Sequence, residues 1–502
     1  RSSDATRPSH ARHPPDGPVM NLAMVLRIFG LIVTAFSLTM LPPIAISLIF
    51  ADGHALVFVE SFFVVLAIGL AMWLPVRKVQ RDLRLRDGFL VVALFWSVLG
   101  VMGAVPFWVT DVPILSFTDS VFEAVSGFTT TGATVIVGLD ELPKSILWYR
   151  QQIQWLGGVG IIVLAVALFP MLGIGGMQLY KAEMPGPVKE DKMTPRIAQT
   201  AKALWGIYVL LTLACAFAYG AAGMDWFDAI CHAFTTVATA GFSTHDASMA
   251  YFDSYAIDAI ACVFMFLGGV NFALHFTAWR SKSTAGYFTD PQFRAYLWLS
   301  VALVLLVFAG LYAQGVYPTL SEAFRYGLFQ AISHQTTTGF VTADYSAWPG
   351  AIAVLLLLAP FIGGCAGSTA GGMKVIRWQL VLKQGVRELK RLVHPSAELP
   401  VKYADKPVPI QVLAAVTGFF AMYLVLFGAM MLLLMAMGID QVTAWSAVAS
   451  GMNNLGPGLG DVHFNYTSLP DPAKWVVVVA MLIGRLEVFT LLVLFTPAFW
   501  RR

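Results

Sequence analysis

Ten apolar runs, each with the length to cross a bilayer, leave this chain few ways to fold. They fall at 21–50, 55–76, 88–109, 152–176, 203–222, 256–279, 296–315, 350–381, 409–438 and 474–499. A spanning helix needs about 20 apolar residues. Hydrophobic residues make up 58% of the 502 and charged residues only 12%, whereas a soluble domain carries about a quarter charged. The expected class is an all-α polytopic membrane protein, because lipid forces each backbone segment to satisfy its own hydrogen bonds. Cys215, Cys231, Cys262 and Cys365 sit in or beside apolar runs without a CxxC pair and read as small packed side chains. Residues 1–19, polar and proline-rich, are expected to be a disordered extension or an expression remnant, with Met20 as the natural start.

Basic residues set the orientation. Arg77, Lys78, Arg81, Arg84 and Arg86 follow the second run. Lys181, Lys189, Lys192 and Arg196 follow the fourth, and Arg280, Lys282 and Arg294 the sixth. Lys383, Arg387, Lys390 and Arg391 follow the eighth, and Arg501 and Arg502 come last. The alternate connections hold few cations, so the positive-inside rule puts both termini and the basic loops in the cytoplasm.

The outward connections share a design. FTTTGATV at 128–135 follows a short amphipathic segment too brief to span, and equivalent segments occur at 227–248, 321–346 and 443–462. Each closes on small polar residues and a glycine, namely Gly132, Gly241, Gly339 and Gly456, roughly a hundred residues apart. The pattern is a fourfold repeat of helix, re-entrant half-helix, polar loop and helix, preceded by two extra helices. The expected units are 20–87 for the extra helices, then 88–202, 203–295, 296–407 and 408–502 for the repeats. Irregular backbone at membrane depth is tolerated where it is buried or lines a water-filled cavity. Four such loops converging on one axis supply backbone carbonyls able to replace the hydration shell of a monovalent cation. Acids in the outward connections, among them Asp119, Glu123, Asp228, Asp246 and Asp344, are expected to form a cation-attracting vestibule or to be solvated loop residues.

The eighth run is interrupted by GGCAGSTAGG at 363–372. Each glycine costs a helix interior about 1 kcal/mol, so an unwound intramembrane loop beneath the polar loops is expected, with close helix packing as the alternative. Arg485 in the last run places a full charge at membrane depth and is expected to face a cavity or to pair with an acid such as Glu487. Asn271 and His275, four residues apart in the sixth run, are expected to share a helix face that lines the pore or packs between helices. Lys374 lies near the cytoplasmic end, where it snorkels or lines the pathway.

FTTTGATVIVGLDELPK, TAGFSTHDASM, TTTGF and NNLGPGLG, with GGCAGSTAGGMKVIR, RELKRLVHP and GRLEVFTLL, resemble the TrkH-type membrane subunits of the Trk/Ktr/HKT potassium-uptake superfamily. The resemblance covers 20–502 and implies a potassium pathway in the bacterial inner membrane. Its filter backbone would be Thr130, Thr131 and Gly132; Thr239, Ala240 and Gly241; Thr337, Thr338 and Gly339; and Asn454, Leu455 and Gly456. Gly363, Gly364, Gly367, Ser368, Thr369, Gly371 and Gly372 would form a pore-obstructing gate with Arg485 facing it. Glycine at all four filter positions implies preference for potassium over sodium.

No Walker lysine, DKTG or GxGxxG motif occurs, so any organic cofactor (NAD, ATP or ADP) is expected on a partner. The resemblance supplies that partner as a cytoplasmic TrkA-like ring, and it implies a homodimer in lipid. Nothing points to nucleic acid or to enzyme chemistry. The alternatives kept open are the potassium-binding subunit of a cation pump and a proton- or sodium-coupled symporter.

Overall fold

The computed structural model describes residues 22–79, 85–167, 193–486 and 492–500. The expectations for residues 1–19, for Glu487 and for much of the basic-loop pattern (Arg81, Arg84, Lys181, Lys189, Lys192, Arg501 and Arg502) lie outside the described residues. Among those described, six helices are long and apolar enough to cross a membrane: Leu22–Phe50, Ala55–Val76, Leu90–Val109, Ala201–Ala221, Pro291–Ala313 and Ile410–Ala436. They correspond to the first, second, third, fifth, seventh and ninth apolar runs. The molecule is an all-α polytopic membrane protein.

The other runs depart from straight spans for local reasons. The sixth is two helices, Tyr255–Gly268 and Phe272–Ser281, bent by 97° at the break that follows Gly268. The eighth stops at Ile362, and a second helix, Val375–Val393, begins only after the glycine-rich segment. The fourth begins within Lys144–Ala167 and the tenth within Asp471–Leu486; residues 168–176 and 487–491 of these runs fall outside the described residues. The first two spans meet through small residues: a Cβ on Gly30 would stand 2.6 Å from the Trp73 amide nitrogen, and one on Gly69 would stand 2.5 Å from Thr34 Oγ1. Close backbone approach of this kind is how helices associate in lipid.

Four short helices lie between the spans: Phe117–Phe128, Trp226–Val237, Leu320–Gln335 and Gln441–Asn453. The third has 16 residues against 12, 12 and 13 for the others, about one turn more. Each starts on a side-chain cap. Ser116, Asp225, Thr319 and Asp440 accept from the amides of Asp119, Asp228, Glu322 and Thr443. Caps of this type satisfy orphan amides and stabilise a helix start by about 1 kcal/mol. Asp119, Asp228 and Glu322 also place negative charge at the positive end of the helix dipole.

The half-helices pack into two large apolar clusters. One contains Phe128, Ala133, Val448 and Met452 from the first and fourth half-helices and their loops. The other contains Val237, Ala240, Phe329 and Phe340 from the second and third. The polar loops emerge where these clusters meet.

Candidate functional site

Every half-helix ends in the same backbone turn. Thr130, Thr239, Thr337 and Asn454 have φ of 51°, 50°, 55° and 53°, in the left-handed region, and the glycines two residues on have 82°, 83°, 81° and 103°. The amides of the first set reach the carbonyls of Gly127, Thr236, His334 and Gly451 at 3.0 to 3.1 Å. Those of Thr131, Ala240, Thr338 and Leu455 reach Ser126, Thr235, Ser333 and Ser450 at 2.8 to 2.9 Å. Paired bonds of this register are a Schellman cap, in which glycine is the usual left-handed residue. Here that position carries threonine three times and asparagine once, although a left-handed side chain costs about 1–2 kcal/mol.

Their side chains account for three of the four. Thr337 Oγ1 accepts from the Gly371 amide at 2.6 Å, and Thr239 Oγ1 lies 3.1 Å from Thr369 Oγ1. Asn454 Nδ2 donates to Thr131 Oγ1 and to the Met481 carbonyl, both at 3.0 Å. Thr130 Oγ1 has no partner among the described residues.

The four glycines then interlock in a closed order. A Cβ on Gly132 would stand 2.2 Å from the Ala240 carbonyl oxygen, and one on Gly241 would stand 2.0 Å from that of Thr338. A Cβ on Gly339 would stand 2.0 Å from the Leu455 carbonyl oxygen, and one on Gly456 would return to that of Thr131 at 2.7 Å. Only glycine admits these approaches. The twelve residues predicted as a filter thus come together as one ring. The carbonyl ends of four helices converge beneath it, contributing partial negative charge, and a ring of backbone oxygens is suited to a dehydrated monovalent cation.

A cavity of about 310 Å³ opens on the side of the ring opposite the half-helix ends, lined by all four glycines and by Asp246, Asp344, His245 and His463 among others. Asp246 and Asp344 thus line this cavity, whereas three other acids named from sequence, Asp119, Glu123 and Asp228, are held in pairs. Glu123 is fully buried and takes Arg150 Nε at 2.9 Å, while Asp119 takes Lys474 Nζ at 2.6 Å. Asp228 pairs with His245 Nε2 at 3.1 Å, and Asp140 with its Nδ1 at 2.5 Å.

Burial opposes the charge on His245, but its hydrogen bonds to Asp228 and Asp140 outweigh that effect and hold it above the ordinary histidine range. Burial likewise opposes ionisation of Asp228, yet bonds from His245 and Thr244 bring it down to about 2.

Two braces escaped the sequence reading. Arg150 joins the first two loops, donating to Glu123, to Thr134 Oγ1 at 3.1 Å and to the Ser243 carbonyl at 3.0 Å. Gln154 clamps the second loop, donating to the Ala240 carbonyl at 2.7 Å and accepting from the Phe242 amide at 3.0 Å. The available signal was the polar stretch Arg150–Gln154 inside an otherwise apolar run.

Beneath the ring lies the interruption of the eighth run, an unwound loop as expected. Gly363, Gly367 and Gly372 have φ of 66°, 75° and 75°, and a Cβ on Gly371 would stand 2.1 Å from the Asn453 carbonyl oxygen. Gly364 lies against Ser368 Oγ, which itself donates to the Cys365 carbonyl at 2.6 Å. Thr369 Oγ1 lies 3.0 Å from both the Val237 and Gly268 carbonyls. The loop therefore touches the ends of the second, third and fourth half-helices.

Arg485 is buried and donates from Nη1 to the Thr369 carbonyl at 3.1 Å. Its guanidinium stands 5.7 Å from the Trp96 ring centroid, and no carboxylate among the described residues pairs with it. Lys374 folds back to donate to the Ala370 carbonyl instead of snorkelling outward.

Asn271 does not stand within a helix beside His275. The run breaks before them, so Asn271 caps the second segment by accepting from the Ala273 amide at 2.9 Å, beside Gly367. His275 is held by Tyr287 Oη at 2.7 Å and the Leu267 carbonyl at 3.0 Å, which is helix packing.

A spanning bundle with four capped re-entrant helices, a closed ring of glycine turns and a loop drawn across its inner side defines a pore-loop membrane transport protein. The chain belongs to the TrkH family, described as cation transport proteins, whose model matches residues 54–502. It is 55% identical over 483 residues to the Trk system potassium uptake protein TrkH of Halomonas elongata, covering 96% of this chain and all of that one. It is 53% identical over 482 residues to the protein of the same name from Escherichia coli strain K12, again covering 96% of this chain and all of the relative. The crystal structure of the potassium transporter TrkH from Vibrio parahaemolyticus superposes with a TM-score of 0.90 at 52% identity, over 96% of this chain and all of that one.

Proposed function

We propose that the chain carries potassium inward across the bacterial inner membrane through the ring of Gly132, Gly241, Gly339 and Gly456. The observation that carries this reading is the closed cycle in which each glycine abuts the carbonyl preceding the next. Residues 88–202, 203–295, 296–407 and 408–502 act as four units around one pore, with 20–87 as the outlying pair, and both termini face the cytoplasm. Transport, not catalysis, is the activity. The membrane potential, about 2.3 kcal/mol per charge per 100 mV, supplies the driving force.

The glycine-rich loop 363–372 is the gate in this reading, with Arg485 as its anchor. The bonds that join Thr369, Gly371 and Gly372 to three half-helix ends and to Arg485 support it, since they place the loop across the ring's inner side. The chain works as a homodimer with a cytoplasmic TrkA-like ring. That ring brings NAD and ATP or ADP, and it acts on the gate from the basic face.

Purified protein in liposomes, given potassium or sodium gradients and an imposed voltage, tests the reading. Potassium flux that follows voltage is expected. Gly132→Ser, pressed against the Ala240 carbonyl at φ 82°, should lower the potassium-to-sodium ratio about tenfold, the factor that matches ~1.4 kcal/mol. A native protein that moves neither ion, with or without the partner ring, would overturn the reading. Flux that requires a proton or sodium gradient would replace it with coupled transport.

A further inference from the structure

The helix Val375–Val393 starts three residues beyond Gly372, and its second half has no apolar cover. Leu382, Leu389, Leu392 and Val393 are 64%, 66%, 79% and 71% exposed. With Val386 they form one stripe at helical spacing, while Lys383, Arg387, Lys390 and Arg391 lie along the adjoining flank, where Glu388 pairs with Arg387 at 2.6 Å and leaves the flank a net excess of cations. Such a surface is unfavourable in water and equally so in the hydrocarbon core. It suits the boundary between headgroups and acyl chains.

The helix sits at that depth. Gln379 Nε2 donates at 3.1 Å to the carbonyl of Pro291, the first residue of the span Pro291–Ala313. Lys383 Nζ donates at 2.9 Å to Lys402, in the short hairpin that leads into the span Ile410–Ala436. Both spans begin on this level, on the side where the basic loops collect, so the exposed stripe continues their lipid-facing surface.

We propose that residues 382–393 lie in the cytoplasmic leaflet and bind anionic lipid headgroups through Lys383, Arg387, Lys390 and Arg391, with Leu382, Val386 and Leu389 embedded among acyl chains. The charges favour anionic over zwitterionic headgroups, each cation near such a surface contributing roughly fivefold in partitioning. Because the helix continues from Lys374, this anchor steadies the loop and favours the arrangement in which the loop is bonded to the half-helix ends. That coupling rests on the gating role proposed above, whereas the lipid contact does not.

The test uses the full chain with a nitroxide on Leu389→Cys, the four native cysteines being buried. It is reconstituted in phosphatidylcholine or in an equimolar mixture with phosphatidylglycerol. In the anionic vesicles the label should be relaxed by dissolved oxygen and shielded from a water-soluble nickel chelate. The combined Lys383→Gln, Lys390→Gln and Arg391→Gln variant should lose that shielding and retain on the order of 100-fold less phosphatidylglycerol. A label that stays open to the chelate overturns the proposal. So does spin–spin coupling that puts a second copy on the stripe, or shielding that appears only with the cytoplasmic partner ring.

Flux without the partner ring reads the coupling separately. It should be lower for the native chain in anionic than in zwitterionic vesicles and equal in both for the triple variant. Equal native flux in both overturns the coupling and leaves the lipid contact to the label. Shortening 363–372 in the same vesicles reads the gate itself.

Discussion

At the scale of single residues, the four left-handed side chains test how backbone strain is used. Three of them bond across to the loop beneath or to a neighbouring unit, and Thr130 does not. Thr130→Gly gives up two buried carbons, worth about 1.6 kcal/mol, and releases left-handed strain of about 1–2 kcal/mol. Its thermal unfolding in detergent should therefore stay close to that of the parent. Thr337→Gly releases the same strain but leaves the Gly371 amide without its acceptor, a loss of about 1–3 kcal/mol. It should unfold no later than the parent and, in liposomes, pass more potassium without the partner ring. If both variants behave alike, the hydroxyls are not what holds the loop.

The glycines were legible in the sequence because an open backbone angle and a close approach each demand glycine, and the requirement recurs four times. Arg150, Glu123 and Gln154 were not legible as braces. Their partners, Ser243 and Ala240, come from another unit, and no local pattern announces which buried polar groups will meet.

At the scale of elements, breaks in helices decide the site. Five glycines within ten residues announced the break in the eighth run. The sixth run carries a comparable signal, with Gly268 and Gly269 just ahead of Asn271. Reading it as continuous put Asn271 inside a helix, whereas the break leaves it as the cap of the second segment. Where a helix ends depends on what its next residues can cap, and Asn271 caps well.

The broken eighth run makes the sharper prediction. Its loop is bonded to Arg485 through the Thr369 carbonyl. Arg485→Gln removes the charge and shortens the donor's reach to the Thr369 carbonyl, and shortening 363–372 removes the proposed gate itself. Both should raise partner-independent potassium flux, the shortened loop more. Single-channel or vesicle flux at fixed voltage reads the difference, and unchanged flux in both would exclude the loop as the gate.

At the scale of the whole molecule, the four units are tied on two levels. Below the ring the loop of the third unit bonds the ends of the second and fourth half-helices. Above it, His245 of the second unit clasps Asp140 of the first while holding Asp228 within its own unit. The ring of His245 is also stacked on Tyr251, with centroids 3.4 Å apart. Because folding raises the affinity of His245 for its proton, the stability it contributes is full below its ordinary value of 6.5. That stability is lost as pH climbs through the raised value. Asp228 runs the other way: its contribution is full above 3.8 and disappears as pH falls through about 2, so only His245 changes near neutrality.

The native protein should therefore unfold at progressively lower temperature as pH is raised from about 6 through the raised value of His245, by linkage between proton binding and folding. His245→Gln retains hydrogen-bonding capacity without the charge, so its unfolding temperature should be lower at the acid end and nearly flat across the range. The two proteins should converge once pH has passed the raised value of His245, where neither side chain carries charge. A histidine that merely packs would leave the two curves parallel. Parallel curves would mean that the charge on His245 does not tie the first loop to the second, leaving that join to Arg150, Gln154 and the Asp246 carboxylate, which accepts from the Gly138 and Leu139 amides.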